Sequence, residues 1–426
     1  MKAILARVDP ARLRSLATGF AGVHSLNAAL TMVYSLVQTL VFARALDHRL
    51  FSMTIVATAV GLYLLPINQS VARANFVLLR ERAVKVSHRG AAEASSAFHL
   101  SQLILLLVPL AAPFALGIAD GREYVAFASY LFFCTYSNIW YFEVQMSMMA
   151  VEQALPFERV SFIRRVVNYV ILIALLKTHD FFLCNIAWAL QTLVFHIYVV
   201  CFMARGWGLF DWPHGLTWGG MKRHFARLWV SLQATGAEWL TLNGPYSVFV
   251  ARFGVGPGVV TIDTVLKLSR IVVSVTRNLS EIALPRVSRA LLVGEARRGR
   301  MPVAIALAGG AAAALACGAV VVLFEHQAFS LLLSHNDVIP AGAGWPTAVA
   351  LLAGVGVALG GHIIGYSGDQ RSIPALLSAS LLCMGAFAAY VLIGRPDILG
   401  ALWATSAALS GISIVAMILL VRILRR

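Results

Sequence analysis

Six polar residues recur along one apolar stretch of the chain: Asp263, Lys267, Arg270, Ser274, Arg277 and Glu281. Their spacings are 4, 3, 4, 3 and 4, and at about 100° per residue this places all six on one narrow stripe of a helix. Leu, Ile and Val fill the opposite face. A ridge with surplus Lys and Arg is anion-binding chemistry: guanidinium groups grip phosphate in a bidentate way, and an ammonium acts as a point charge. The competing reading is self-neutralisation, because Asp263 with Lys267 and Arg277 with Glu281 stand four apart. Even so, Arg270 is left over. On the preceding apolar stretch Glu238 is flanked by Gln233, Thr235, Trp239 and Asn243. Glu238 and Asp263 are therefore candidates for a coupling cation or for counter-ions to Lys267 and Arg270. Arg73, with Asn75 nearby, and the pair His24 and Asn27 are polar residues embedded in apolar sequence closer to the N-terminus. His24 and Asn27, with Asn243, are the candidate cavity-lining positions, and a packed or snorkelling role competes with a functional one for Arg73, His24 and Asn27.

These residues matter because of the sequence around them. The chain has 426 residues, of which 59% are hydrophobic and 12% charged, against roughly 25% charged in a soluble domain. Apolar runs of about 20 residues recur from end to end, the length that crosses a bilayer core. In lipid such runs are helices, because isolated strands leave backbone groups unsatisfied. The pattern predicts an all-α membrane protein with about twelve transmembrane helices, at 18–44, 51–79, 97–118, 124–149, 159–177, 181–204, 228–251, 256–283, 301–324, 343–367, 373–394 and 398–421. Burying an ionisable group in such a helix costs about 2.5–3.5 kcal/mol on insertion scales, so the group faces a cavity or a partner.

The net charge of +15 raises nucleic acid as a ligand, and the distribution argues against it. Most of the cations fall between apolar runs. With the N-terminus in the cytoplasm, the inner segments hold 24 Lys and Arg residues and the outer segments six, the bias that sets topology. The few left inside apolar runs include Lys267, Arg270, Arg277 and Arg73. Both termini are then cytoplasmic. The first apolar run is too long for the core of a secretory signal and has no small-residue cleavage site after it. Five scattered cysteines form no metal or redox motif, and no cofactor is expected. The segment 206–227, rich in Trp, Gly and Pro, reads as an interfacial cytoplasmic linker. It separates an N-terminal lobe, 1–205, from a C-terminal lobe, 228–426. Two lobes of six helices around a central cavity are the architecture of a transporter. The glycine-rich 254–258 stretch is an outer turn, since neither a strand before it nor a suitably placed acid after it supports dinucleotide binding.

Three stretches carry a resemblance to a known family. These are Phe42-Ala43-Arg44-Ala45-Leu46-Asp47 with Phe51; Val255-Gly256-Pro257-Gly258 leading into Asp263, Lys267 and Arg270 and closing on Leu284-Pro285-Arg286-Val287-Ser288-Arg289; and Gly368-Asp369-Gln370-Arg371. The sequence resembles the polysaccharide (Wzx-type) flippases of the multidrug/oligosaccharidyl-lipid/polysaccharide exporter superfamily. It departs from their pattern at Ser52-Met53 and at Asn68. The resemblance implies a polyprenyl-diphosphate-linked oligosaccharide as substrate, carried from the inner to the outer leaflet of a bacterial cytoplasmic membrane by rocking of the lobes. It further implies that Lys267 and Arg270 contact the diphosphate, with Arg277 at the inner entrance and Arg73 as a partner from the other lobe. Membrane lipid and a polysaccharide polymerase with its export machinery would be the partners. Two alternatives stay open. One is a cation-coupled drug exporter of the same fold, against which stands the lack of a carboxylate in the first helix. The other is a membrane polymerase, ligase or glycosyltransferase, for which the outer loop 325–342 offers only Glu325, His326, His335 and Asp337.

Overall fold

A computed structural model of the chain describes residues 19–46, 69–81, 120–135, 141–199, 218–254, 257–332, 339–367 and 371–425, with isolated residues between them. The described residues are helical, without strands. They form α1 (Phe20–Ala45), α2 (69–81), α3 (Gly121–Thr135), α4 (Tyr141–Ala150), α5 (Ala154–Thr178) and α6 (Phe181–Tyr198). Then follow α7 (Trp218–Phe253), α8 (Pro257–Leu292), α9 (Arg300–Leu323), α10 (Glu325–Leu332), α11 (Gly344–Ser367), α12 (Ser372–Ile393) and α13 (Ile398–Arg425). A short 3-10 turn, Ala296–Gly299, precedes α9. The chain divides into two compact units, Met1–Leu228 and Trp229–Arg426.

Helix boundaries follow local chemistry. Asp180 starts α6 by accepting the Leu183 amide through its carboxylate at 3.0 Å, and Asp397 holds the Gly400 amide of α13 at 2.7 Å, each satisfying a first-turn N–H. His179 closes α5 at φ 54°, in the left-handed region. Gly254 does the same after α7 at φ 64°, where only glycine is unstrained. Five described spans are long and apolar enough to cross a membrane: Phe181–Tyr198, Ala296–Leu323, Gly344–Ser367, Ser372–Ile393 and Ile398–Arg425. The charged stripe keeps α8 out of that set. At 36 residues each, α7 and α8 are about 54 Å long, well beyond the roughly 30 Å hydrocarbon core, so their ends project past it.

The first unit has an aromatic core. Trp188 of α6 is fully buried against Phe133, Tyr130 and Phe42, and α1 packs along α5. In the second unit α11 is the enclosed helix, packed by α8, α9 and α13. Small residues let these backbones approach, as packing in lipid favours. A Cβ on Gly360 would stand 2.8 Å from Ala416 Cβ, and one on Gly310 would stand 2.6 Å from Thr276 Oγ1.

Several boundaries differ from those expected. Residues 218–227, read as linker, are the first turns of α7. The helix expected from 159 begins at Ala154, which brings Glu158 inside it. The helix expected over 124–149 includes α3 and α4, with 136–140 outside the described residues, and the 325–342 segment contains α10. The helix expected at 97–118, the first part of that expected at 51–79, and the linker residues 206–217 lie almost wholly outside the described residues.

Candidate functional site

In the second unit the six stripe residues lie on α8, as their spacing requires. Val265, Leu266, Val272, Val273 and Thr276 turn into the unit's core. Lys267 and Arg270 turn out of it and are exposed. Arg270 is 13 residues from Pro257, about 20 Å along the helix axis, a depth at which a cation facing hydrocarbon is costly. Lys267 Nζ lies 2.6 Å from Asp263 Oδ2, with side chains 63% and 35% exposed, so the pair is solvated and weakly coupled. Among the described residues Arg270 has no carboxylate partner, and it is the uncompensated cation of the ridge.

Arg277 has a partner outside its own helix. Its guanidinium forms an ion pair with Glu238 of α7, and the Glu238 carboxylate is almost fully buried. Glu238 is thus a counter-ion of Arg277. Beside Glu238 a water-sized cavity of about 10 Å³ is lined by Thr241, Gly361, Leu376 and Ser380, and Thr241 bonds Ser380 across it at 3.3 Å. Asn243 lies further along α7, half-buried, with its amide donating to the Trp239 carbonyl at 3.3 Å.

The first unit holds a different arrangement, centred on a residue that sequence reasoning missed. Glu158 of α5 is fully buried. Its Oε1 lies 2.8 Å from His24 Nδ1 and accepts from Gln145 Nε2 at 2.8 Å. Its Oε2 accepts from Asn27 Nδ2 at 2.5 Å, and that same amide bonds the Glu158 carbonyl at 2.8 Å. His24 and Asn27, expected to line a cavity, are instead buried ligands of this carboxylate. A second buried carboxylate, Glu143 of α4, accepts from Asn75 of α2 at 2.9 Å. Arg164 stacks on Tyr141 at 4.4 Å and Phe195 at 5.2 Å. Arg165 donates to Thr31 and, at 3.3 Å, to the Tyr141 hydroxyl. Arg73 is buried in α2 rather than presented to solvent. One signal for Glu158 was available: Glu158, Ser161, Arg165 and Asn168 repeat at helical spacing once the helix is begun early enough.

In the 325–342 segment, expected on the outer side, Glu325 Oε1 accepts the Gly342 amide at 2.8 Å, tying the ends of the segment together. His335 and Asp337 lie outside the described residues. Among the described residues no three His, Cys, Asp or Glu side chains gather as a metal site.

The described helices are those of an all-α, multi-pass membrane protein, with an exposed cationic stripe on α8. No family model and no curated protein sequence matches the chain. Solved structures do. A MOP superfamily transporter from Pyrococcus furiosus, described as having a binding pocket of reverse polarity, superposes with a TM-score of 0.71 at 14% identity, covering 97% of this chain and 98% of that one. The Vibrio cholerae MATE transporter VcmN gives 0.70 at 15% identity over 95% of each chain. The eukaryotic MATE transporter AtDTX14 gives 0.65 at 14% identity over 97% of each. The chain therefore has the two-lobe membrane fold of the MATE transporters of the MOP superfamily, and the expected helix count of about twelve is consistent with it.

Proposed function

We propose that this protein is a transporter that moves a polyprenyl-diphosphate-linked oligosaccharide from the inner to the outer leaflet of the bacterial cytoplasmic membrane, with both termini cytoplasmic. The observation that carries the reading is the exposed Lys267 and Arg270 ridge on α8, at a depth where an exposed cation needs water and an anion. Arg270 and Lys267 take the diphosphate. Arg277, held by Glu238, keeps the ridge anchored to α7. Arg73, buried, is a positioning residue at most. The work is binding and conformational change, with no bond made or broken, and the lipid tail stays in the membrane while the lobes rock. A polysaccharide polymerase and its export machinery would take the product.

The test is translocation of a fluorescent polyprenyl-diphosphate oligosaccharide in proteoliposomes. Native protein should transport it, and Lys267→Ala with Arg270→Ala should abolish transport at normal protein levels. A double variant that still transports would make the ridge structural.

A second reading, a cation-coupled exporter of drugs, draws on one observation. The first helix has no carboxylate of its own, yet α5 brings Glu158 against His24 and Asn27 of that helix, and buried carboxylates of this kind bind coupling protons or cations. Efflux of a cationic dye that Glu158→Gln abolishes and the Lys267/Arg270 double variant leaves intact would favour it.

A further inference from the structure

The last helix carries a groove that the ridge on α8 does not use. The groove runs along α13 and encloses about 520 Å³. Among the described residues its sides are Ile414, Ile418 and Val421, and Arg422 and Arg425 stand at its end. From Ile414 the residues Ile418, Val421 and Arg425 follow at spacings of 4, 3 and 4, so they stand above one another on one face of the helix. Arg422 is one turn beyond Ile418. The three apolar side chains are exposed. Half-buried Ser413 and Met417 form the floor, next to Gly356 of α11, where a Cβ would stand 3.4 Å from Met417 Cγ.

Length and charge together define what fits. Ile414 and Arg425 are 11 residues apart, about 16 Å along the helix axis, and one leaflet of a roughly 30 Å hydrocarbon core is about 15 Å deep. The span Ile398–Arg425 is apolar enough to cross a membrane, and both arginines fall in its last turn. The groove thus has the depth of one leaflet and ends at headgroup level. Arg422 and Arg425 are exposed, and neither has a carboxylate partner among the described residues. A third arginine joins them. Arg300, the first residue of α9, donates from Nε to the Leu424 carbonyl at 3.1 Å. That bond satisfies one of the unpaired carbonyls at the end of α13 and fixes the guanidinium there. Its terminal nitrogens bond nothing among the described residues. Three guanidiniums at the mouth of an apolar groove complement a phosphate that carries a hydrocarbon tail, and they repel a headgroup with an ammonium of its own. The topology rule accounts for cations at a cytoplasmic helix end. It requires neither the groove leading to them nor the tether of Arg300 to the α13 backbone.

We propose that this groove binds an anionic phospholipid. One acyl chain lies along Ile414, Ile418 and Val421, and the phosphate is held by Arg422 and Arg425 with Arg300 beside them. Guanidinium forks take phosphate oxygens two at a time, and basic pockets at the cytoplasmic ends of membrane helices hold such headgroups. The bound phosphate links the start of α9 to the end of α13, so occupancy stabilises the second unit by mass action. The site is independent of the substrate that the protein carries.

The experiment is native mass spectrometry of the full chain in detergent, titrated with phosphatidylglycerol or with phosphatidylcholine of the same acyl chains. Native protein should bind its first phosphatidylglycerol about tenfold more tightly than phosphatidylcholine, and soluble glycerol 3-phosphate should not displace it. Arg422→Gln with Arg425→Gln should bring phosphatidylglycerol down to the phosphatidylcholine level. Ile418→Trp, which fills the groove and leaves the charges, should also weaken it several-fold. Lys222→Gln with Arg371→Gln removes the same charge from exposed residues elsewhere and should leave binding unchanged. Equal native affinity for the two lipids overturns the proposal. So does displacement by glycerol 3-phosphate, an equal loss in the Lys222/Arg371 variant, or full binding by Ile418→Trp. The lipid comparison and the displacement use native protein alone, so they decide the matter even where a variant folds poorly.

Discussion

Glu158→Gln is the sharpest probe of the buried network in the first unit. The substitution keeps the shape and replaces one carboxylate oxygen with an NH2 group. Two donors converge on Oε1, from His24 and Gln145, and one side-chain donor meets Oε2, from Asn27. The amide therefore turns its nitrogen toward Asn27, where it faces one N–H instead of two. One hydrogen bond is lost and a buried donor is left facing another, which costs about 1–3 kcal/mol. Glu158→Ala removes the acceptor from all three donors and leaves His24 buried beside a void; by analogy with broken buried pairs this costs about 3–5 kcal/mol. For a unit of 228 residues each kcal/mol shifts the melting temperature by about 2–4 °C. Gln should thus lower the first unfolding transition by about 2–12 °C, and Ala should lower it by more. The assay is thermal unfolding in detergent, with Asn27→Ala and the double variant completing a cycle. Because the two residues share a bond, the cycle should show a coupling of about 0.5–3 kcal/mol. If Glu158→Gln melts within about 1 °C of native protein and the cycle is additive, the network contributes nothing to stability and the reasoning fails.

Three further outcomes follow from the same geometry. Glu238→Ala should destabilise the second unit by about 3–5 kcal/mol by breaking the buried pair with Arg277, and adding Arg277→Met should recover part of that loss in thermal melts. Gly360→Val should fold poorly or melt well below native protein, because its side chain would meet Ala416 where a Cβ alone already approaches to 2.8 Å; overpacking of this kind costs about 1–3 kcal/mol. Asp263→Asn should change stability by less than about 1 kcal/mol, because its pair with Lys267 is solvated. It should also tighten binding of a diphosphate probe, since an anion beside the ridge is removed, and a weakened affinity would count against the anion site.

The parts of this fold that could be read from sequence are those set by period and length. A stripe at 4 and 3 spacing survives any small error in helix ends, so the ridge on α8 was legible before its neighbours were known. Helix ends were not legible to the same degree, and the loss of Glu158 shows the consequence. Its helix begins five residues earlier than the apolar run, at Ala154, because a helix in a protein can start in polar sequence when its first turns are packed. The partner of Arg277 was hidden for a different reason. Within one helix Glu281 is the near neighbour by count, and sequence spacing cannot show that Glu238 of another helix reaches Arg277.

The two units handle buried charge in opposite ways. In the first, two buried carboxylates meet polar donors from other helices: Glu158 meets His24, Asn27 and Gln145, and Glu143 meets Asn75. The Arg164 guanidinium spreads its charge over Tyr141 and Phe195. Such interlocked groups gain little from opening to water, and they hold helices in a fixed register. On the α8 ridge of the second unit Asp263 pairs with Lys267 and Glu238 with Arg277, while Arg270 has no carboxylate partner among the described residues. Holding an unmatched cation at that depth costs free energy that packing does not return, and the cost is offset only when an anion arrives. If Arg270 serves as the standing vacancy for that anion, Arg270→Ala should make the empty protein more thermostable and should abolish the thermal stabilisation that a polyprenyl-diphosphate lipid gives to native protein. A less stable empty variant, or one still stabilised by the lipid, would place the anion elsewhere.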